Sequence, residues 1–196
     1  MCEVAIGKTP PRKETQWFSE DENDVKWISI KDLGNSGMNI FKTSEYLTEE
    51  AIKKFNVKKI SKNTILLSFK LTIGRIAITT EIMTTNEAIA HFNIKKTNQM
   101  STEFLYYYLK NFNYKSLGST SSIAKALNSK IVKKIPVSVP DEESLRLFSK
   151  YMKSIFEMIK KNELEIIKLE KTRDILLPKL MSGEIDVSKV KISTSI

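Results

Sequence analysis

Acid–base or metal chemistry near neutral pH needs imidazoles, thiols or clustered carboxylates, and this 196-residue chain holds few that could serve. It has one histidine, His91, and one cysteine, Cys2. His91 lies in the apolar run Ala88-Ile89-Ala90-His91-Phe92, which reads as a strand, so a packed or exposed imidazole is the simpler expectation than a catalytic one. A single thiol forms neither an internal disulfide nor a multi-cysteine metal site, which fits a reducing cytoplasm. A metal-dependent nuclease wants acidic ligands beside a lysine. Asp24-Val25-Lys26 is the nearest match, with no paired carboxylate at strand spacing. No glycine-rich dinucleotide cradle, P-loop or Asn-Pro-Pro-aromatic run is present. The chain is therefore expected to bind rather than react, with no catalytic residue, metal or cofactor.

What it could bind is indicated by charge. The net charge is +9, but 11 Lys/Arg face 10 Asp/Glu from Asp141 onward, against 21 and 13 before it. The positive excess thus sits on residues 1–140, and suits a polyanion held through phosphate contacts and counterion release. Base reading needs side chains that reach groove edges, and phosphate contacts need Lys and Arg. The candidates lie on loops that flank predicted strands. They are Lys8, Arg12 and Lys13; Lys31; Lys70, Thr72 and Arg75 around Gly74; and Ser119, Ser121 and Lys125. Two other readings stay open. A basic body of this kind could instead dock on an acidic protein as part of a coiled-coil adaptor. A single-strand or RNA binder would want exposed aromatics, for which Trp17-Phe18 is the only loop pair.

The elements that must position these residues alternate in type. Residues 7–24 read as an exposed loop, and two prolines preclude helix across its first part. Val25–Leu33 alternates as a strand, and Gly34-Asn35-Ser36-Gly37 is a turn. Thr48 caps a short helix over Glu49–Phe55. Strands are expected at Val57–Ile60, Ile65–Phe69, Arg75–Thr79 and Ala88–Ile94, with a tight bend or bulge at Gly74. Ser101 caps a helix from Thr102 to about Tyr114, closed by Gly118, whose Phe104, Tyr108 and Phe112 stripe reads as core. Asn128 caps another short helix, and Ile135–Pro140 reads as an edge strand. No apolar run reaches the ~20 residues of a membrane span, and the amino-terminal residues lack a secretory layout.

Pro140 followed by Asp141-Glu142-Glu143 opens a long helix, which Pro178 should kink or stop before Gly183. Phe148, Met152, Ile155, Ile159, Asn162, Ile166, Leu169, Arg173, Leu176 and Leu180 recur at alternating gaps of four and three. That is a heptad seam, the pattern of a helix laid along another helix. Such a helix reaches roughly 55–60 Å, whereas a 140-residue body is about 30–35 Å across. The spacing therefore predicts an α+β protein. A globular, β-centred domain over 1–140 precedes one long coiled-coil helix with a short final segment over 141–196. The dimerisation seam is expected at Met152, Ile155, Ile159, Asn162, Ile166, Leu169 and Leu176.

Seven segments, in one order, resemble the specificity subunit of type I restriction–modification systems in a form with a single target recognition domain. Gly7-Lys8-Thr9-Pro10 is similar to its opening GxTP, and Trp27–Leu33 to its W(I/V)(S/T)xxDL strand. Thr48-Glu49-Glu50-Ala51 is similar to its TEEG helix start. Leu66-Leu67-Ser68 through Thr72-Ile73-Gly74-Arg75-Ile76-Ala77 resembles LLSxRxTIGKxAI, with Phe69-Lys70 where an Arg is usual. Thr85–Ile89 resembles TNQAI, Ile135–Pro140 the IPLPP exit, and Leu176–Ile185 the closing segment. The resemblance implies double-stranded DNA binding without catalysis, at a bipartite and palindromic site. It also implies antiparallel pairing with a second copy and partnership with methyltransferase and restriction/translocase subunits. No membrane is involved, and the cytoplasm is the expected location.

Overall fold

The run Ile65-Leu66-Leu67-Ser68 offers no polar side to water, so a strand built from it must be covered on both faces. The computed structural model, which describes residues 2–95, 100–117, 127–186 and 188, buries all four. They form β6, third in a five-stranded sheet. Its order is β1 (Cys2–Ile6), β9 (Ile89–Ile94), β6, β7 (Ile76–Thr79) and β4 (Asn39–Ile40). The pairs are antiparallel except β4 with β7. A second sheet runs β2 (Phe18–Ser19), β5 (Glu45–Leu47), β3 (Val25–Ile28) and β8 (Thr84–Thr85).

Alternation along β6 separates two cores. Ile65 and Leu67 point into a cluster with Phe92, Leu105, Tyr106, Leu109, Val132 and Phe156. Leu66 points the other way, to Ile28, Leu33, Ile40, Met83 and Ile89. Trp27, Leu47, Ile52 and Val57 form a third, smaller cluster behind the second sheet.

The helices begin where the side chains dictate. Thr48, Ser101 and Asn128 each accept a backbone N–H in the first turn of α2 (Glu49–Phe55), α3 (Thr102–Lys110) and α4 (Ser129–Val132). Asp141 does the same for α5 (Glu142–Met181), taking the Ser144 N–H at 2.9 Å. Other expectations are overturned. The strand from Val25 stops at Ile28, because Ser29 and Asp32 close a reciprocal capping box that starts α1 (Ile30–Asn35). Val57–Ile60 contributes only a bridge from Ile60 to Met83. Ile135–Pro140 forms no strand; Ile135, Val137 and Val139 pack on the first core while Pro136 and Pro140 have no N–H to give a ladder. Strand β1 was not anticipated. In α3 the fully buried face is Leu105, Tyr106 and Leu109, and the Phe104, Tyr108 and Phe112 stripe is half-buried. The helix ends at Lys110, short of Tyr114, and Gly118 lies outside the described residues. Pro178 sits within α5, which ends three residues later, with Gly183 at φ 74° beyond it.

The chain divides into two compact units, Met1–Phe156 and Glu157–Ile196. The first turns of α5 therefore belong with the sheets. Leu145 and Phe156 are buried, Met152 packs on the first core, and Phe148 meets Phe104 edge-on at 6.2 Å. Met152, placed on the seam by spacing, is thus engaged by the body itself. About a quarter-turn round the helix, Leu147, Tyr151, Ile155 and Met158 are exposed. That second stripe continues in phase through Asn162, Ile166, Leu169, Leu176 and Leu180, all exposed, whereas Ile159 is half-buried. No helix among the described residues is long and apolar enough to cross a membrane.

Phe156→Ala removes an aromatic from the first core and is expected to destabilise the chain by about 3–5 kcal/mol. Urea unfolding followed by circular dichroism measures the loss.

Candidate nucleic-acid interface

The opening loop is stitched to the loop before β9. Gly7 N–H donates to Ile89 O at 3.1 Å and Lys8 N–H to Thr85 O at 2.9 Å. A Cβ at Gly7 would lie 2.1 Å from both Asn86 O and Thr85 Oγ1, so only glycine permits this approach. Thr9 Oγ1 bonds the Glu87 carboxylate, and Trp27 Nε1 donates to Lys8 O at 3.3 Å. The backbone is fixed while the Lys8 side chain stays exposed, as does Lys13. Neither forms an ion pair among the described residues. Arg12 differs. Its guanidinium forks onto Glu45 at 2.6 and 2.9 Å and lies over the Phe18 and Trp27 rings at 4.2 and 4.4 Å. A planar group so held ties loop to sheet.

Helix α1 carries Lys31, exposed on its first turn. The helix is positioned by Asp32, whose carboxylate takes Ser29 N–H at 2.9 Å, Ser29 Oγ at 2.7 Å, Ser44 N–H at 3.0 Å and Ser44 Oγ. Burial alone would raise its pKa, but the hydrogen bonds from Ser44 and Ser29 outweigh it and hold the carboxyl below its usual value. Arg75 reaches the same helix. Its Nη1 donates to Ile30 O at 2.8 Å, and a Cβ on Gly34 would come within 2.1 Å of that nitrogen. Arg75, a candidate DNA contact in the sequence, is half-buried and bonded to α1.

Between β6 and β7 the chain turns through Lys70-Leu71-Thr72-Ile73-Gly74. Buried Ser68 anchors it. Ser68 Oγ donates to Thr72 O and accepts Arg75 N–H at 3.0 Å, and Gly74 N–H donates to Ser68 O at 3.0 Å. Phe69 is buried, with N–H on Ala88 O at 3.0 Å and its carbonyl accepting Leu127 N–H at 2.9 Å. At the tip, Thr72 N–H closes on Lys70 O at 2.7 Å around Leu71, which has φ 60° and is 79% exposed. Lys70 and Thr72 flank it. Leu71 carries no charge and so gives no signal in the sequence of a basic loop. Ser119, Ser121 and Lys125 lie outside the described residues.

The potential acid–base groups are engaged otherwise. His91 is buried, with Nε2 bonded to Thr85 Oγ1; burial, with Lys58 adding to it, lowers its pKa to about 4, leaving it neutral at pH 7. Its Nδ1 has no hydrogen-bond partner among the described residues, and the ring borders a small cavity lined also by Glu3, Lys58, Ser61 and Asn93. Lys26 of the nuclease-like triplet is bonded to Phe41 O at 2.7 Å and paired with Glu81. No group of three His, Cys, Asp or Glu among the described residues is placed to hold a metal ion.

The family model for the type I restriction modification DNA specificity domain matches residues 1–174. The chain is 31% identical over 189 residues to the type I restriction enzyme HindI specificity subunit of Haemophilus influenzae, covering 94% of this chain and 40% of that protein. It is 34% identical over 181 residues to the MjaIX specificity subunit of Methanocaldococcus jannaschii, covering 86% and 40%. The chain thus spans about two-fifths of the length of these curated relatives. In fold it is similar to the HsdS subunit crystal structure from Thermoanaerobacter tengcongensis, with TM-score 0.59, 16% identity, and coverage of 94% of this chain and 43% of that one. A chain from a structure describing complex assembly and conformational transition of a type I R-M system gives TM-score 0.60 at 15% identity, covering 91% and 43%.

Asp32→Asn keeps the shape of the side chain and removes its charge, and is expected to cost about 1–3 kcal/mol at pH 7. Because the folded pKa lies below the ordinary 3.8, the carboxylate's contribution is complete above that value and is lost as pH falls through the lower, folded pKa. Thermal melts from pH 7 to 2 should show the variant less stable at neutral pH and the gap closing in acid.

Proposed function

The chain belongs to the type I restriction modification DNA specificity family, and from that membership we propose that it is a sequence-reading, non-catalytic component of a type I restriction–modification assembly. Residues 1–140 bind double-stranded DNA. Exposed Lys8, Lys13 and Lys31, with Lys70, supply phosphate contacts, while the tip of the β6–β7 loop approaches base edges. Modification and restriction subunits, the catalytic partners, are directed to the site the chain selects. The observation that carries this reading is the family match over residues 1–174, which takes in the sheets and most of α5.

A second copy supplies the helix that α5 pairs with. The exposed stripe supports this because it is nearly self-complementary, as a twofold axis requires. With two helices antiparallel about an axis between Glu163 and Leu164, Leu147 faces Leu180, Tyr151 faces Leu176, and Met158 faces Leu169. Lys161 then lies beside Glu165 of the other helix. Asn162 falls next to the axis, where a buried polar residue fixes register. The paired stripes span roughly 50 Å at 1.5 Å per residue. Two identical bodies related by that axis would read the two halves of an interrupted palindrome.

Two measurements test the proposal. Duplex binding across a salt series is expected to weaken linearly in log–log coordinates, with slope about −0.9 per phosphate contacted. Salt-independent binding, or none, removes the DNA reading. Light scattering should give a dimer for the wild type and a folded monomer for Ile166→Asp, whose side chain is exposed in the single chain. A wild-type monomer removes the pairing.

A further inference from the structure

Leu71 combines two unfavourable features that the body does nothing to offset. It is the most exposed large apolar side chain among the described residues before α5, and a γ-branched residue at φ 60° in a three-residue turn is strained. Glycine or asparagine would relax that turn at once. The support beneath is rigid, since the Ser68 bonds to Thr72, Gly74 and Arg75 brace the loop from inside while Phe69 is bonded on both sides. The result is one apolar tip on a stiff base, with a lysine on one side and a hydroxyl on the other.

We propose that Leu71 is a wedge that enters a base step of the bound duplex, partly unstacking it and bending the DNA there. This rests on the DNA-binding reading above. Proteins that kink DNA insert single apolar side chains between bases, and the unstacking cost is offset by the extra surface the bent duplex meets. The stiff base matters because a wedge that had to be ordered on binding would lose part of its gain to entropy. Lys70 beside it suits the adjoining phosphate, and the excess positive charge of residues 1–140 suits a polyanionic duplex as the occupant. Specificity would then come partly from deformability, with flexible pyrimidine–purine steps preferred at the wedge.

The probe is a duplex recovered from a random-sequence pool by the wild-type chain, labelled at its ends for energy transfer and carrying 2-aminopurine at successive positions. Wild type is expected to raise the fluorescence at one step and shorten the end-to-end distance. Leu71→Ala should lose both signals and bind roughly tenfold more weakly, within the usual range for a base-contacting residue, at an unchanged salt slope because the lysines remain. Leu71→Gly should behave alike on DNA yet melt no lower than the wild type, separating the wedge from a folding defect. An unchanged fluorescence rise and bend in Leu71→Ala would overturn the wedge and leave DNA binding standing. So would unchanged DNA behaviour with lost binding to a co-purified methyltransferase subunit, which would make the tip a protein contact. Failure of the wild type to enrich any duplex would overturn the DNA reading, and the wedge with it.

Discussion

Helix α5 carries two apolar faces, and the body that precedes it can cover one. Met152 and Phe156 pack on the first core, Phe148 meets Phe104 at its margin, and Leu145 is buried, with each fully buried large side chain contributing about 1.5–3 kcal/mol. The stripe from Leu147 to Leu180, about a quarter-turn away, remains in water in the single chain. A row of apolar side chains this long and regular is unusual on a soluble surface unless something docks on it.

The two faces also show what periodicity alone leaves open. Phe148, Met152 and Ile155 fit a four–three rhythm, and so do Tyr151, Ile155 and Met158. Periodicity shows that a helix is amphipathic but does not show which of two overlapping stripes a nearby sheet will take. The same limit applies at Ile135–Val139. Its alternation is real, and Ile135, Val137 and Val139 do face the core, but alternation cannot reveal whether a neighbouring backbone is free to pair. Local chemistry was more legible. Thr48, Ser101 and Asn128 cap the helices expected of them, since a cap is settled by one side chain and the next three amides. The Ser29–Asp32 box was missed because an aspartate stands where glutamate or glutamine usually signals it.

At the candidate interface the residue types were legible, but the intramolecular bonds of Arg12 and Arg75 were not. Arg12 and Arg75 both looked like DNA contacts from their loops. Arginine's flat fork is also what a fold uses to tie segments together, and both are used so here, on Glu45 and on the Ile30 carbonyl. The lysines at 8, 13 and 31 stay exposed, consistent with a strongly hydrated ammonium that is costly to fix. A basic loop thus divides by residue type, arginines setting its shape and lysines setting its field.

That division bears on how such a body could tell one sequence from another. Lysine ammoniums on flexible stems attract any duplex and carry little base information. Discrimination needs atoms held in place, and the rigid positions lie elsewhere, on the Ser68-braced loop and on α1 clamped by Asp32 and Arg75. The loop stands on the same core that holds the first turns of α5, since Phe69, Ile73, Tyr114, Met152 and Phe156 all belong to that cluster. The β6–β7 loop and the first turns of α5 are therefore fixed to one another within a single compact unit. Within that unit a shift of the tip relative to Met152 or Phe156 would strain a packed core rather than stretch a loop.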